Sequence, residues 1–228
     1  MKLSVIMPAY NEERTIEKIL RKVDATGIEK EIIVVDDAST DSTGEIISRL
    51  EGEIPGLKIV RHERNRGKGA AIRSALPHVE GDIVIIQDAD LEYDPGEYSK
   101  IIAPIKSGDA DVVYGSRFLG GPHRVLYYWH YVANKLITTI ANALYNVNLN
   151  DLETCYKAFR TEVIKTLEIR SNRFGFEPEV TAKVIKAKYR IYEVPISYYG
   201  RTYEEGKKIT WKDGIAAIFF LVRYRFFN

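Results

Sequence analysis

Three carboxylates stand at alternate positions directly after an apolar run: Asp88, Asp90 and Glu92 follow Ile83–Ile86. In an extended backbone, successive side chains point to opposite faces, so these three acids would project the same way. The small Ala89 between them would leave room for a ligand. Oxygen ligands of this kind suit Mg2+ or Mn2+, ions that usually share their coordination shell with a substrate's phosphates. The segment predicts a metal and phosphate site; the alternative is a solvated acidic turn that caps the next helix.

Apolar runs that read as strands alternate with helical patterns through the first half of the chain. The predicted strands cover residues 3–7, 31–35, 57–61, 82–86 and 111–114. The first helix has Ile16, Ile19, Leu20 and Val23 at helical spacing after Asn11, which we expect to cap it. This alternation predicts an α/β fold, with a Rossmann-like, mostly parallel sheet flanked by helices.

The second half interrupts the regular alternation. Its predicted elements are a long helix at residues 126–145, a strand at 156–159, a helix at 178–187, a strand at 190–197 and a last helix from residue 210. We divide the chain into one α/β domain, residues 1–208, and a C-terminal amphipathic helix, residues 209–228.

Polar motifs follow four of the predicted strands. They occupy residues 8–12, 36–41, 88–90 and 115–117. Ligands of open α/β sheets bind outside the carboxyl ends of the strands, so these motifs are expected to face one crevice. For Asp36 and Asp37 the alternative is capping of the helix at residues 43–50.

Residues 65–71, Asn-Arg-Gly-Lys-Gly-Ala-Ala, precede a helix. Their backbone amides could cradle phosphates, or the glycines could simply form a tight turn. The segment matches neither the P-loop pattern nor the dinucleotide-binding fingerprint, so neither kind of site is predicted.

The bulk composition sets limits on the class of protein. The 228 residues carry 33 Lys and Arg against 32 Asp and Glu, and the net charge of +1 gives no reason to expect nucleic acid as a partner. A single cysteine, Cys155, excludes an internal disulfide. The apolar run at residues 215–222 is far shorter than the about 20 residues that span a bilayer.

Four motifs taken together resemble the GT-A glycosyltransferases of family 2: V-I-M-P-A-Y-N-E, I-I-V-V-D-D-A-S-T-D-S-T, N-R-G-K-G-A-A-I and Q-D-A-D-L-E-Y-D-P. The resemblance covers residues 1 to about 210. Within that family the chain is similar to the polyprenyl-phosphate hexose synthases, a group that includes the dolichyl-phosphate mannose synthases. It implies an inverting, metal-dependent transfer of mannose or glucose from GDP-mannose or UDP-glucose to a polyprenyl (dolichyl) phosphate.

The resemblance also implies roles for individual residues. The nucleotide pocket would be lined by Pro8, Tyr10, Glu12 and Asp37. The metal and the donor diphosphate would be surrounded by Asp88, Ala89, Asp90 and Glu92. The acceptor phosphate would be held by Arg117, Arg201 and Lys208. Relatives often have Gln where Glu92 stands and Ser-Lys where Lys207-Lys208 stands, so the ligand role of Glu92 and the choice between the two lysines stay open.

A lipid phosphate is already an anion at neutral pH, so such an acceptor needs cations and no strong base. A hydroxyl acceptor would need a carboxylate base within hydrogen-bond reach, for which Asp151 is the candidate.

Two segments indicate contact with a membrane. Residues 125–150 carry one full charge and are rich in Tyr and Trp, and the last helix combines an apolar face with Arg223 and Arg225. Core packing is the alternative for the first of these. We expect a peripheral protein at the cytoplasmic membrane face, bound to the lipid surface or to a small membrane-protein partner.

Three other functions compete with lipid-phosphate glycosylation. They are transfer to a sugar or protein hydroxyl, a phosphatase of the haloacid dehalogenase type with Asp88 as nucleophile, and a nucleotide-sugar binding module without activity. The phosphatase needs a lysine and an acidic pair after later strands; Asp213-Gly214 does not follow an apolar strand.

Overall fold

A seven-stranded sheet forms the centre of the molecule. The computed structural model describes residues 1–173, 175–206 and 211–227, with the backbone alone for residues 211 and 212. The strands are β1 (Leu3–Ala9), β2 (Lys30–Asp36), β3 (Leu57–Arg61), β4 (Ile83–Ile86), β5 (Val112–Ser116), β6 (Lys157–Arg160) and β7 (Ile191–Pro195). Their order is β3-β2-β1-β4-β6-β5-β7, and β6 alone runs antiparallel to its neighbours. The predicted α/β class with a mostly parallel sheet is confirmed.

Helices cover both faces of the sheet. They are α1 (Ile16–Asp24), α2 (Thr43–Glu51), α3 (Lys68–Ala75), α4 (Tyr98–Lys106), α5 (Tyr128–Tyr145), α6 (Thr161–Thr166), α7 (Phe176–Lys186) and α8 (Trp211–Phe226). The strands are rich in Ile and Val, and β1, β2 and β4 are almost wholly buried, as expected when both faces of a parallel sheet are covered. The four apolar residues predicted to face the core from α1 are all buried.

The predicted cap of α1 is wrong. The helix starts at Ile16 with Thr15 in the cap position. Asn11 instead adopts a left-handed backbone with φ +51°, and its side-chain oxygen accepts a hydrogen bond from the backbone N–H of Thr40 at 2.8 Å. An asparagine can take this conformation and bond to nearby backbone, so it links the loops after β1 and β2 rather than starting the helix.

The carboxyl ends of β1, β2, β4 and β5 lie at the same edge of the sheet, because these strands are mutually parallel. Strand β6 runs the other way, so its first residue lies at this edge too. Residues 151–156, which lead into β6, therefore reach the edge where the polar motifs after the other strands meet.

A separate apolar cluster joins α5, α7 and α8. It includes Ile137, Ala182 and Leu221, and the Tyr145 hydroxyl donates to the Leu221 carbonyl at 2.7 Å. The first turn of α5 stays exposed, with Trp129 76% accessible. No helix in the described part of the chain combines the length and the apolar character that crossing a membrane requires.

Candidate functional site

The acidic residues after β4 form a turn, Asp88–Glu92, which we call the acidic turn. The expectation that they continue an extended strand is wrong, since β4 ends at Ile86. Leu91 takes a left-handed backbone with φ +65°, and a side-chain oxygen of Asp90 accepts from the Glu92 N–H at 3.0 Å. The acids therefore gather around a turn instead of alternating along one face. Ala89 is 3% exposed and belongs to the apolar core.

Asp88 is paired with a buried lysine. Lys68, the first residue of α3, places its ammonium 2.8 Å from Asp88 Oδ1 and 3.0 Å from Glu177 Oε1. The Lys68 ammonium also donates to Cys155 Sγ at 2.7 Å. Burial opposes ionisation of Asp88, but the charges of Lys68 and Arg201 and the hydrogen bonds from Cys155 and Lys68 together lower the pKa of this carboxyl below its ordinary value.

Asp90 is bound to an arginine from far along the chain. Arg201 Nη2 donates to Asp90 Oδ2 at 2.8 Å, and Arg201 Nη1 lies 3.5 Å from Glu12 Oε2. Burial, together with the negative charges of Glu92 and Asp88, raises the pKa of Asp90 to about 8 in spite of the arginine. The turn thus carries more negative charge than its cations compensate.

Asp88 and Asp90 fit a divalent cation. Their oxygens are the hard ligands that Mg2+ and Mn2+ prefer, and burial together with the nearby charges of Glu92 and Asp88 disfavours a charged Asp90 when no cation is bound. Glu92 is engaged elsewhere: one of its oxygens accepts from Tyr198 and the other from Arg201. In the described ranges no three His, Cys, Asp or Glu side chains are already grouped as metal ligands.

Arg117 and Asp151 form a buried pair. Arg117 donates from Nε to Asp151 Oδ2 and from Nη2 to Asp151 Oδ1, both at 2.7 Å, and its backbone N–H adds a third bond at 3.0 Å. Asp151 is fully buried. The guanidinium lies 5.2 Å from the centre of the Tyr198 ring. The candidate base and the candidate phosphate ligand therefore neutralise each other.

The residues predicted to line the nucleotide pocket lie at the end of β1 and in the loops after β1 and β2. Tyr10 is 38% exposed, and Glu12 accepts from the Thr15 hydroxyl at 3.0 Å. Pro8 lies within β1, which runs two residues further than predicted.

Asp37 is buried, and its carboxylate is hydrogen-bonded to backbone N–H groups. Its oxygens accept from the N–H groups of Arg66 at 2.8 Å and Gly67 at 2.7 Å, and lie 2.6 Å from His62 Nδ1. Helix α2 is not capped by Asp37, since Asp41 accepts from its first N–H at 3.0 Å.

The glycine-rich segment forms a tight turn. The Gly67 N–H is taken by Asp37, and Gly67 has φ +91°, which glycine adopts without strain. A Cβ at Gly69 would lie 2.2 Å from the Ser171 carbonyl oxygen. Of the two predictions for this segment, the structure favours the tight turn over the phosphate cradle.

Several residues of the site were not predicted. Lys68 was noticed only as part of the glycine-rich segment, and Glu177 and Tyr198 were not singled out. A charged residue within the otherwise apolar stretch Phe174-Gly175-Phe176-Glu177-Pro178 was the signal available for Glu177. Lys207 and Lys208 lie outside the described residues. Arg124, which lies close along the chain to Arg117, pairs with Glu205 at 2.7 Å on the surface.

Comparison with known proteins gives the family. Residues 4–168 match the model described as glycosyl transferase family 2. The chain is 32% identical over 213 residues to a protein named dolichol-phosphate mannosyltransferase from Pyrococcus furiosus, covering 91% of this chain and 59% of that protein. It is 27% identical over 219 residues to an undecaprenyl-phosphate mannosyltransferase from Micrococcus luteus, covering 91% of this chain and 87% of the relative.

Solved structures with the same fold include glucosyl-3-phosphoglycerate synthase from Mycobacterium tuberculosis, in complex with Mn2+, UDP and glucosyl-3-phosphoglycerate. It superposes with a TM-score of 0.78 over all of this chain and 81% of that one, at 21% identity. At this identity, the similarity shows a shared fold and nothing more. Together with the family match, it identifies the chain as a member of glycosyl transferase family 2 with the GT-A fold.

Proposed function

We propose that this chain is an inverting, metal-dependent glycosyltransferase that moves a hexose, mannose or glucose, from a nucleoside diphosphate sugar to a polyprenyl phosphate. One observation carries the proposal: the acidic turn, suited to a cation and a diphosphate, lies 2.8 Å from the guanidinium of Arg201, suited to a second phosphate. A site with both ends matches a reaction between two phosphate-bearing substrates. The names of the relatives support the same acceptor class.

The donor end would use the residues around the acidic turn. Asp88 and Asp90 would hold Mg2+ or Mn2+, which when bound draws charge from the leaving nucleoside diphosphate. The nucleotide would lie along Pro8, Tyr10 and Glu12. Asp37 and Ala89 would act through the loops that they hold in place, since both side chains are buried.

The acceptor end favours an anion over a hydroxyl. A hydroxyl acceptor needs a base, and the candidate Asp151 already accepts three hydrogen bonds from Arg117. A phosphate acceptor needs cations instead, and its oxygen would attack the anomeric carbon from the face opposite the leaving diphosphate. Arg201, Arg117 and Lys208 are the proposed cations, with Arg117 acting from its pair with Asp151.

The exposed aromatic surface supports a position at a membrane. Trp129 and Tyr128 on α5 are 76% and 67% exposed, and Phe219 on α8 is 59% exposed. Such side chains favour the boundary between water and lipid, where a polyprenyl chain lies. The proposed location is the cytoplasmic face of a membrane, on the lipid or on a small membrane protein, with residues 209–228 as the attaching element.

The test is transfer by the purified chain with short polyprenyl phosphates and soluble sugar acceptors, using GDP-mannose or UDP-glucose with Mg2+ or Mn2+. We expect metal-dependent transfer to the lipid phosphate. The donor would be identified beforehand by thermal shift with each nucleotide sugar, because a ligand that binds the native state raises the melting temperature. Transfer to a soluble sugar without any to the lipid phosphate would contradict the proposal.

A further inference from the structure

Glu92 lies where the acidic turn meets residues 198–201, which we call the arginine segment. Its Oε1 accepts from the Arg201 backbone N–H at 3.0 Å and from Arg201 Nε at 3.3 Å. Its Oε2 accepts from the Tyr198 hydroxyl at 2.8 Å, and its backbone carbonyl accepts from the Tyr199 N–H at 2.9 Å. Both side-chain oxygens and the carbonyl of Glu92 are therefore bonded to the arginine segment.

Its neighbours in the acidic turn are bonded differently. Asp88 faces the Lys68 ammonium, and Asp90 faces one outer nitrogen of the guanidinium. A metal could replace either of these single cations as a partner. At Glu92 a metal would compete for oxygens that already accept hydrogen bonds from a hydroxyl, a backbone N–H and the inner nitrogen of Arg201, the contacts that hold the arginine segment to the turn.

We propose that Glu92 and Tyr198 are positioning residues for Arg201, and that Glu92 is not a ligand of the metal. The inference rests on the proposed function, in which Arg201 receives the acceptor phosphate. A guanidinium has five N–H donors in a rigid plane, so a partner at Nε fixes the direction of the other four. Glu92 binds Nε, and the contacts to Asp90 and Glu12 use one N–H each. These three contacts leave two N–H groups of the Arg201 guanidinium to bond to the oxygens of a phosphate.

Packing keeps the arginine segment in one arrangement. A Cβ at Gly200 would come within 2.7 Å of the Tyr198 ring and 2.8 Å of Leu126, so backbone and ring are in close contact. The Tyr198 ring also lies 5.5 Å from that of Tyr93 and 5.2 Å from the Arg117 guanidinium. Tyr198 thus contacts both Glu92, the partner of Arg201, and Arg117, the other arginine proposed for the acceptor end.

The experiment compares four variants of the full chain: Glu92→Leu, Glu92→Gln, Tyr198→Phe and Tyr199→Phe. The control is Tyr199→Phe, since Tyr199 adjoins Tyr198 but is 53% exposed and bonds to Glu92 through its backbone alone. Three quantities are measured: KM for the nucleotide-sugar donor, KM for a short-chain polyprenyl phosphate, and the affinity for Mn2+ with the nucleoside diphosphate by calorimetry. Arg201→Ala serves as the reference for complete loss of the guanidinium.

We expect Glu92→Leu to raise the acceptor KM about 30-fold or more, because it removes the charged partner of Nε. Tyr198→Phe loses one hydrogen bond to a carboxylate and should raise it roughly 10-fold. In Glu92→Gln the amide oxygen can still accept from Arg201, so KM should stay within about fivefold of wild type. Affinity for Mn2+ and nucleotide should change less than about twofold in all four.

Several outcomes would overturn the inference. Mn2+ affinity at least about 10-fold weaker in Glu92→Leu, whether or not Glu92→Gln retains it, would make Glu92 a metal ligand. Equal losses in donor and acceptor KM, with no rescue by glutamine, would make its role purely structural. Wild-type transfer with an unchanged acceptor KM in Glu92→Leu would refute this inference and leave the proposed function intact, whereas a wild-type chain that binds Mn2+ and nucleotide but uses no lipid phosphate would refute both.

Discussion

The ammonium of Lys68 lies 2.8 Å from Asp88 and thereby joins the glycine-rich turn before α3 to the acidic turn after β4. The same ammonium is 3.0 Å from Glu177 on α7, whose side chain is 4% exposed. One cation therefore compensates two carboxylates from different parts of the chain. The ion pair ties the donor end of the site to the helix layer beneath it.

Replacing Lys68 with methionine should destabilise the fold by about 3 kcal/mol, because a buried carboxylate that loses its partner keeps the cost of its lost hydration. Urea unfolding measures this free energy. Adding Glu177→Gln should recover part of the loss by removing one of the two stranded charges. If Lys68→Met unfolded at the wild-type urea concentration, the buried pair would contribute nothing to stability.

Asp90→Asn should abolish metal-dependent nucleotide binding and transfer while the fold persists. The physical reason for the intact fold is that the pKa of Asp90 is raised to about 8, so a neutral side chain is already favoured there in the absence of a metal. Calorimetry with Mn2+ and nucleotide measures the loss of binding, and circular dichroism shows whether the fold persists. Asp109→Asn, an exposed site after α4, is the matched control. Wild-type activity with an unchanged metal requirement would refute the role of Asp90.

Removal of exposed aromatic residues should weaken attachment to membranes. We expect Trp129→Ala combined with Phe219→Ala to reduce cosedimentation with vesicles of anionic phospholipid at least about fivefold, because both side chains are more than half exposed in the free protein. Tyr192→Ala, at an exposed aromatic residue on β7, should bind vesicles like the wild type. Equal binding by all variants would exclude this surface as the point of attachment.

Acid stability should depend on Glu31, which lies at the sheet edge opposite the site. Burial alone would raise its pKa, but Lys58, the Ser4 hydroxyl and the Glu80 N–H lower it from 4.5 to about 2. A lowered carboxyl pKa contributes stability that is fully present above pH 4.5 and disappears as the pH falls towards 2. The contribution at pH 7 is roughly 3 kcal/mol.

Glu31→Gln should therefore lower the free energy of unfolding at pH 7 and flatten its decline between pH 5 and pH 2. Urea titrations at each pH measure this. The exposed Glu29, two residues earlier, provides the control Glu29→Gln, which should retain the wild-type slope. An unchanged slope in Glu31→Gln would show that other carboxylates govern acid unfolding.

The sheet could be predicted from the sequence because each strand carries its own local signal. Short apolar runs, most of them rich in Ile and Val, placed all seven strands within a few residues of their observed bounds. What local pattern could not give was the order of the strands. The antiparallel β6 between β4 and β5 depends on contacts between Val84, Val112 and Phe159, which are far apart in the sequence.

The site was predictable in its residue types and less so in its pairing. The acids after β4 and the distant Arg201 were predicted as site residues, and the structure brings them together, but most other pairings in the site were not predicted. Asp37 bonds to the backbone of Arg66 and Gly67, and Asp151 to Arg117. Such pairings arise from tertiary approach of separate loops, and spacing along the chain carries no record of them.

The place of β1 in the middle of the sheet has a consequence for synthesis on the ribosome. Leu3 pairs on one side with Lys30 and on the other with Ile83, 80 positions later. At a translation rate of roughly 5 to 20 residues per second, the edge of β1 that pairs with β4 stays unpaired for about 4 to 16 s after β1 is made. During that interval a nascent chain exposes a strand edge that other chains could join, so we expect the yield of folded protein to depend on translation speed and on chaperones more than its final stability suggests.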